Sequence, residues 1–194
     1  MLTIMAKTSH TYQSVMRDLK AKHFAPVYVL YGEETYFIDQ VAHYIEHHVL
    51  TEGERGFNQT VFYGKDVDCK TIAAAARRFP MMASHQVILV KEAQNLKQWD
   101  DLSSYLEKPL DSTILVLCIK GKGPDKRTKA GKLMDSHVAM ESKRLYENQI
   151  PSWVESYLAE KGVRCNEKGL MLIAESLGND LSRIANELDK MLLN

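Results

Sequence analysis

Apolar residues in roughly the first 140 positions form short continuous runs, separated by segments of helical period. The runs at 27–31, 86–90 and 113–119 do not alternate with polar residues. A strand with one wet face alternates, whereas a strand covered on both faces stays apolar throughout. A further strand is predicted at 57–63 and a short last one at 138–140. Helical period predicts helices at 12–22, from Thr35 to about Leu50, at 69–79 with Pro80 as the stop, and at 99–107. Pro124 reads as the opening of another. Strands and helices alternating in this order predict a parallel sheet flanked by helices, an α/β fold. From Asn148 onward only helical period remains. Trp153, Val154, Tyr157 and Leu158 share a face, Gly178 reads as a helix stop, and Asn179 or Asp180 as the cap of a last helix. Leu181, Ile184, Leu188, Met191 and Leu192 form that helix's stripe. The boundary falls near 142–148, which predicts an α/β domain over 1–145 and a small all-α domain over 146–194. No internal repeat or low-complexity tract interrupts the pattern.

Composition narrows the class more than the function. A chain of 194 residues that is 45% hydrophobic can bury a substantial core. Its 25 acidic and 25 basic residues cancel, so net charge predicts no general attraction to nucleic acid or to a membrane surface. Cys69, Cys118 and Cys165 are odd in number and widely spaced, which argues against a disulfide framework or a cysteine zinc site. Cys118 lies inside an apolar strand and reads as a small core residue. No apolar run approaches the roughly 18 residues of a membrane span. The N-terminal stretch 1–7 lacks the order of a secretion signal. The expected compartment is the cytoplasm.

The strand at 27–31 runs into Gly32 and then a helix, the setting in which nucleotide-binding folds place G-x-x-x-x-G-K-[ST]. Counted from Gly32, the second glycine position holds Phe37, the lysine position Ile38 and the metal-binding hydroxyl position Asp39. Phe37 crowds a phosphate, Ile38 brings no cation, and Asp39 repels. Hydrolytic relatives of such folds follow a later strand with Asp-Glu, which organises magnesium and polarises water. Here Lys91-Glu92 stands there, with the metal-organising charge inverted. An ordinary exposed strand end fits Lys91 and Glu92 equally well. Either way, no nucleotide turnover, cofactor or metal is expected.

Three further segments each admit two readings. Met81 and Met82 lie between Pro80 and a polar turn, Ala83-Ser-His-Gln86, at a helix-to-strand corner. They either fill a gap between helix and sheet or form an exposed plug for a partner's pocket, a task that suits flexible, polarizable methionine. His43-Tyr-Ile-Glu-His47 spells a zinc-peptidase pattern. The two histidines, however, lie about 200° from the buried line of Val41 and Ile45, on the solvent side, at about 100° per residue. From Lys120 to Lys132 six basic residues face one acidic residue. Lys122, Lys126, Arg127 and Lys129 are candidates for phosphate contact, or simply a solvated helix start in which Asp125 pairs with Arg127. No aromatics interleave there to stack on bases.

Four segments in order carry a family resemblance. They are Pro26-Val-Tyr-Val-Leu-Tyr-Gly-Glu-Glu34; Phe79-Pro-Met-Met-Ala-Ser-His-Gln-Val-Ile-Leu-Val90; Asp125-Lys-Arg-Thr-Lys129; and Gly178-Asn-Asp-Leu-Ser-Arg-Ile-Ala-Asn-Glu-Leu-Asp-Lys190. From about residue 14 to its end the chain resembles the delta subunit of the bacterial DNA polymerase III clamp loader, a branch of the AAA+ superfamily. The resemblance implies a P-loop/AAA+-like parallel sheet with a degenerate nucleotide site, followed by a small helical lid domain. It also implies that the family's C-terminal collar domain is absent from this chain. It implies a non-catalytic subunit that binds the sliding clamp (beta subunit) and opens the ring during DNA replication. Such a subunit works within a complex classed as a nucleotidyltransferase. Phe79, Met81, Met82, Ser84 and His85 become the expected clamp contacts, with Arg77 and Arg78 as steering charges beside them. The other partners implied are ATPase motor and delta-prime-type loader subunits, with primed DNA only in the assembled complex and no membrane. A generic interaction module on an inactive frame and an atypical nucleoside triphosphatase remain the alternatives.

Overall fold

A computed structural model describes residues 10–193; the N-terminal stretch 1–7 and Asn194 lie outside the described residues. The described chain divides into two compact units, 10–143 and 144–193. In the first unit five strands, β1 (Val27–Gly32), β2 (Gln59–Tyr63), β3 (Gln86–Lys91), β4 (Thr113–Lys120) and β5 (Val138–Ser142), form one sheet in the order β2-β3-β4-β1-β5. Every pairing is parallel. The uninterrupted apolar strands follow from burial on both faces. On one face Val27, Val29, Ile88, Val90, Leu115 and Leu117 pack with Ile72 and Ala76 of α4 (Cys69–Ala76), Leu106 of α5 (Ser103–Leu106) and Met134 of α6 (Lys129–Asp135). On the other, Tyr28, Leu30, Val87, Leu89, Val116 and Cys118 meet Val15 and Leu19 of α1 (Tyr12–Lys20) and Ile38, Val41 and Ile45 of α2 (Thr35–His48). Burial pushes the Cys118 thiol up to about 12, so it serves as an inert core residue.

Several predicted boundaries move, each for a tertiary reason. The strand expected from Phe57 begins at Gln59, because α3 (Glu52–Asn58) occupies the preceding residues. The helix expected to run to Phe79 ends at Ala76. The Gln86 amide donates to the carbonyls of Ala75 and Ala76, each at 3.3 Å, and to that of Arg78, while the Thr113 hydroxyl donates to the Ala76 carbonyl at 2.9 Å. These bonds occupy carbonyls at the end of the helix, which stops four residues before Pro80. Residues 99–107 form a 3-10 turn (Trp99–Leu102) and the short α5 instead of one helix. The helix assigned to Pro124 starts at Lys129, where the Thr128 hydroxyl caps the Gly131 amide at 3.0 Å.

The second unit is helical: α7 (Ile150–Glu160), α8 (Glu167–Leu177) and α9 (Leu181–Leu192), with Asn166 and Asp180 as side-chain caps of α8 and α9. Gly178 ends α8 at φ 76°. Asp189 of α9 accepts from the Tyr157 hydroxyl at 2.8 Å and pairs with Lys161 at 2.9 Å, tying α9 to the C-terminal end of α7. Leu181, Ile184 and Leu188 are buried as the stripe requires, but Met191 and Leu192 are exposed. Among the described residues no helix is long and apolar enough to cross a membrane.

Candidate functional site

Parallel pairing puts the ends of β1, β3 and β4 on one edge of the sheet. Gly32 pairs with Lys120, and Val90 pairs with Leu117 one step before Lys91 and Cys118. Ligands of open α/β sheets bind outside this carboxyl edge. The site there is altered more deeply than residue substitution alone required. Helix α2 begins at Thr35, so only Glu33 and Glu34 separate it from β1, and no loop long enough to wrap a phosphate exists. Helix N-termini attract anions through free amides. Here the Glu34 carboxylate accepts from the Tyr36 N–H at 3.0 Å, and the Glu34 N–H donates to the Ser142 carbonyl at 3.2 Å. The Ser142 hydroxyl returns a bond to the Glu34 carbonyl at 2.6 Å. Gly32, at φ 140°, lies so close to β5 that a Cβ would sit 2.0 Å from the Ser142 carbonyl oxygen.

The three key positions separate in space. Ile38 is fully buried in the core, Phe37 packs against Tyr12 with ring centres 4.8 Å apart and planes tilted by 44°, and Asp39 is exposed, pairing with Lys120 at 3.3 Å. Lys91 pairs with Glu46 at 3.1 Å. Glu92 sits in a left-handed conformation at φ 53° with its carbonyl against Gly64, and its carboxylate accepts from the Asn95 amide at 3.4 Å. Asp39, Glu46, Lys91, Glu92 and Lys120 line one cleft of about 420 Å³. Charges that a nucleotide and its metal would need are thus satisfied by one another. His43 and His47 lie on the exposed side of α2 with ring centres 4.3 Å apart, and Glu46 is held by Lys91. Among the described residues no group of three ligand-type side chains gathers as a metal site.

The other expected contacts lie at the opposite, amino edge of the sheet. The loop 77–85 leads from α4 into β3, so one strand of six residues carries the loop at its start and Lys91 at its end, about 17 Å apart. Met81 is 62% exposed, Met82 is fully exposed at φ 54°, and Phe79 and Ser84 are exposed too. The gap-filling reading of the methionines is therefore excluded. His85 is half-buried and meets Phe24 edge-on at 5.6 Å, which makes it a support of the loop. Arg77 reaches the Ser104 hydroxyl at 3.0 Å, and its guanidinium lies 5.9 Å from the centre of the Tyr105 ring. At the base the Gln86 amide also donates to the Thr113 hydroxyl at 2.8 Å. At the tip the side chain of buried Asn58 accepts from the Met81 N–H at 2.6 Å and donates to the Met81 carbonyl at 3.0 Å.

The sequence pattern puts Asn58 inside a strand over 57–63 and gives it no site role, whereas it is the last residue of α3. The missed signal was local: Thr51-Glu-Gly-Glu54 spells a capping box, and the Glu54 carboxylate accepts from both the Thr51 N–H (2.8 Å) and its hydroxyl (2.7 Å).

The basic segment 120–132 is largely paired, mostly with carboxylates outside it. Arg127 bonds Asp125 through its side chain, with the closest contact at 2.7 Å, and holds that carboxyl well below the usual range. Lys126 pairs with Asp135 at 2.9 Å and Lys129 with Glu107 at 2.7 Å. Lys122 lines a separate cleft of about 370 Å³ together with Asp100 and Asp125.

Comparison with known proteins agrees with this geometry. A model of the family described as DNA polymerase III, delta subunit, matches residues 28–142. The DNA polymerase III subunit delta of Bacillus subtilis is 25% identical over 188 residues, covering 91% of this chain and 54% of that protein. The solved DNA clamp loader delta protein of Bacillus subtilis matches with a TM-score of 0.79 and 25% identity, over 92% of this chain and 56% of that one. A RuvB variant of Thermotoga maritima shares the fold alone, with a TM-score of 0.51 and 16% identity over 92% of this chain and 57% of its own. The chain spans about half the length of the relatives it matches. The match over residues 28–142, more than half of the chain, shows that the chain belongs to the family of the DNA polymerase III delta subunit.

Proposed function

We propose that this chain binds a sliding clamp, the beta subunit, through Met81 and Met82 and holds one interface of the ring open for loading onto primed DNA. The observation that carries this reading is the display of two adjacent methionines, 62% and 102% exposed, on a loop braced by buried Asn58 and Gln86. Exposed Phe57 and Phe79 add apolar surface on the segments beside them. An apolar group presented this way has no packing role in the chain itself and suits a partner's pocket. Family membership supports the choice of partner.

The energies are of the right size. Fully burying two methionines is worth about 3–6 kcal/mol. Shifting a ring from 1:99 to 99:1 in favour of an open form needs about 5.5 kcal/mol of differential binding. Contact made only with the open form can therefore supply most of that shift as a change of population, with no chemistry in this chain. Nucleotide hydrolysis then belongs to neighbouring motor subunits of a cytoplasmic replication complex, alongside a delta-prime-type subunit. DNA contact, through Lys122, Lys126, Arg127 or Lys129, arises only in that assembly.

The test is calorimetric titration of the chain with the beta clamp, beside a Met81→Ala/Met82→Ala variant of matched thermal stability. The expected result is binding by the parent and a loss of at least about 2 kcal/mol in the variant, the scale of a central hot spot. Equal binding by both sinks the reading of Met81 and Met82 as a wedge that enters the clamp. No binding by either returns the chain to a generic interaction module.

A further inference from the structure

We infer that Asn58 is the positioning residue of the clamp contact, an inference that rests on the wedge reading above. The Asn58 side chain is 4% exposed, and its amide has one acceptor and one donor group, both of which are used. Its oxygen takes the Met81 N–H at 2.6 Å, and its nitrogen donates to the carbonyls of Met81 and Glu54, each at 3.0 Å. The pair copies the two-way bonding of neighbouring strands and fixes the peptide planes on both sides of Met81. Met82 follows in a left-handed conformation, which a side chain larger than hydrogen keeps only when its surroundings hold it. Asn58 also stands immediately before Gln59, which pairs with Val87 next to Gln86, so the clasp is anchored on the sheet itself. Without it the loop has to be ordered anew at each encounter, and that ordering weakens binding.

Asn58→Asp keeps the shape but sets a carboxylate against two carbonyl oxygens. A buried carboxyl in that position titrates above its ordinary range. Protonation at low pH therefore returns one donor, and deprotonation at higher pH removes it. The experiment measures beta-clamp affinity for the parent, Asn58→Asp, Met82→Ala, Asn58→Asp/Met82→Ala and Met81→Ala/Met82→Ala at about pH 6 and about pH 8. Asn58→Asp is expected to bind about tenfold more weakly than the parent at the higher pH. The gap is expected to narrow at the lower pH and to shrink in the Met82→Ala background, because a residue acting through the wedge has less to act on once half of it is cut. Parent-like binding by Asn58→Asp, or a loss that adds in full to Met82→Ala, overturns the assignment while leaving the wedge standing. Failure of the wedge shows separately, as parent-like binding by the double methionine variant. Should Asn58→Asp not fold, hydrogen exchange of the parent decides: slow exchange at the Met81 amide is expected, and exchange as fast as in an open loop overturns the proposal.

Discussion

Single residues at the carboxyl edge fix how tightly β1, β5 and α2 meet there. Gly32 is needed because any side chain there meets the Ser142 backbone and because its φ of 140° disfavours other residues. Gly32→Ala is expected to lower stability by about 2–4 kcal/mol, read as a fall in the denaturant midpoint with an unchanged slope. Ile38 stands where the sequence count placed the phosphate-binding lysine, yet it is fully buried against the sheet. Ile38→Lys therefore restores no site and is expected to cost on the order of 3 kcal/mol or more, seen by thermal melting with and without Mg-ATP. That an apolar residue stands at the counted position is legible in the sequence. The redirection of that position into the core is not, since that follows from where α2 starts against the sheet.

Elements decide where the methionines go. Proline punctuation predicted a helix ending at Phe79, but side chains of β3 and β4 end α4 at Ala76 and release 77–85 as a loop. Helix α3 supplies the clasp, and its first turn depends on Glu54. The backbone N–H of Thr51 and then its hydroxyl hold the Glu54 carboxyl below its ordinary value of 4.5. A folded value below the unfolded one means that the stabilisation is present above about pH 4.5 and is lost as pH falls through the lower folded value. Amide protection in α3 is expected to decline over that acidic window, and Glu54→Gln to remove the pH dependence. A decline that persists unchanged in Glu54→Gln assigns the titration elsewhere.

In the first unit as a whole, the sheet keeps two edges apart: an ion-paired cleft at the carboxyl ends and a braced apolar loop at the amino end of β3. With Glu46, Lys91, Asp39 and Lys120 already paired, Mg-ATP at millimolar concentration is expected to raise stability by less than about 0.4 kcal/mol, measured as a thermal shift. A clear upward shift would show that the cleft still takes nucleotide. The unbroken apolar runs at 27–31, 86–90 and 113–119 by themselves determined a parallel sheet with both faces covered, because period and burial are local properties of a strand. The helical period after Asn148 likewise determined the helical character of the last 50 or so residues. Tertiary structure alone decided that Met81 and Met82 face water and that Lys91 meets Glu46, 45 positions away. It alone brought Asn58 to grip a peptide 23 positions further on. Such contacts depend on how separate elements converge, and no window of neighbouring residues contains that information.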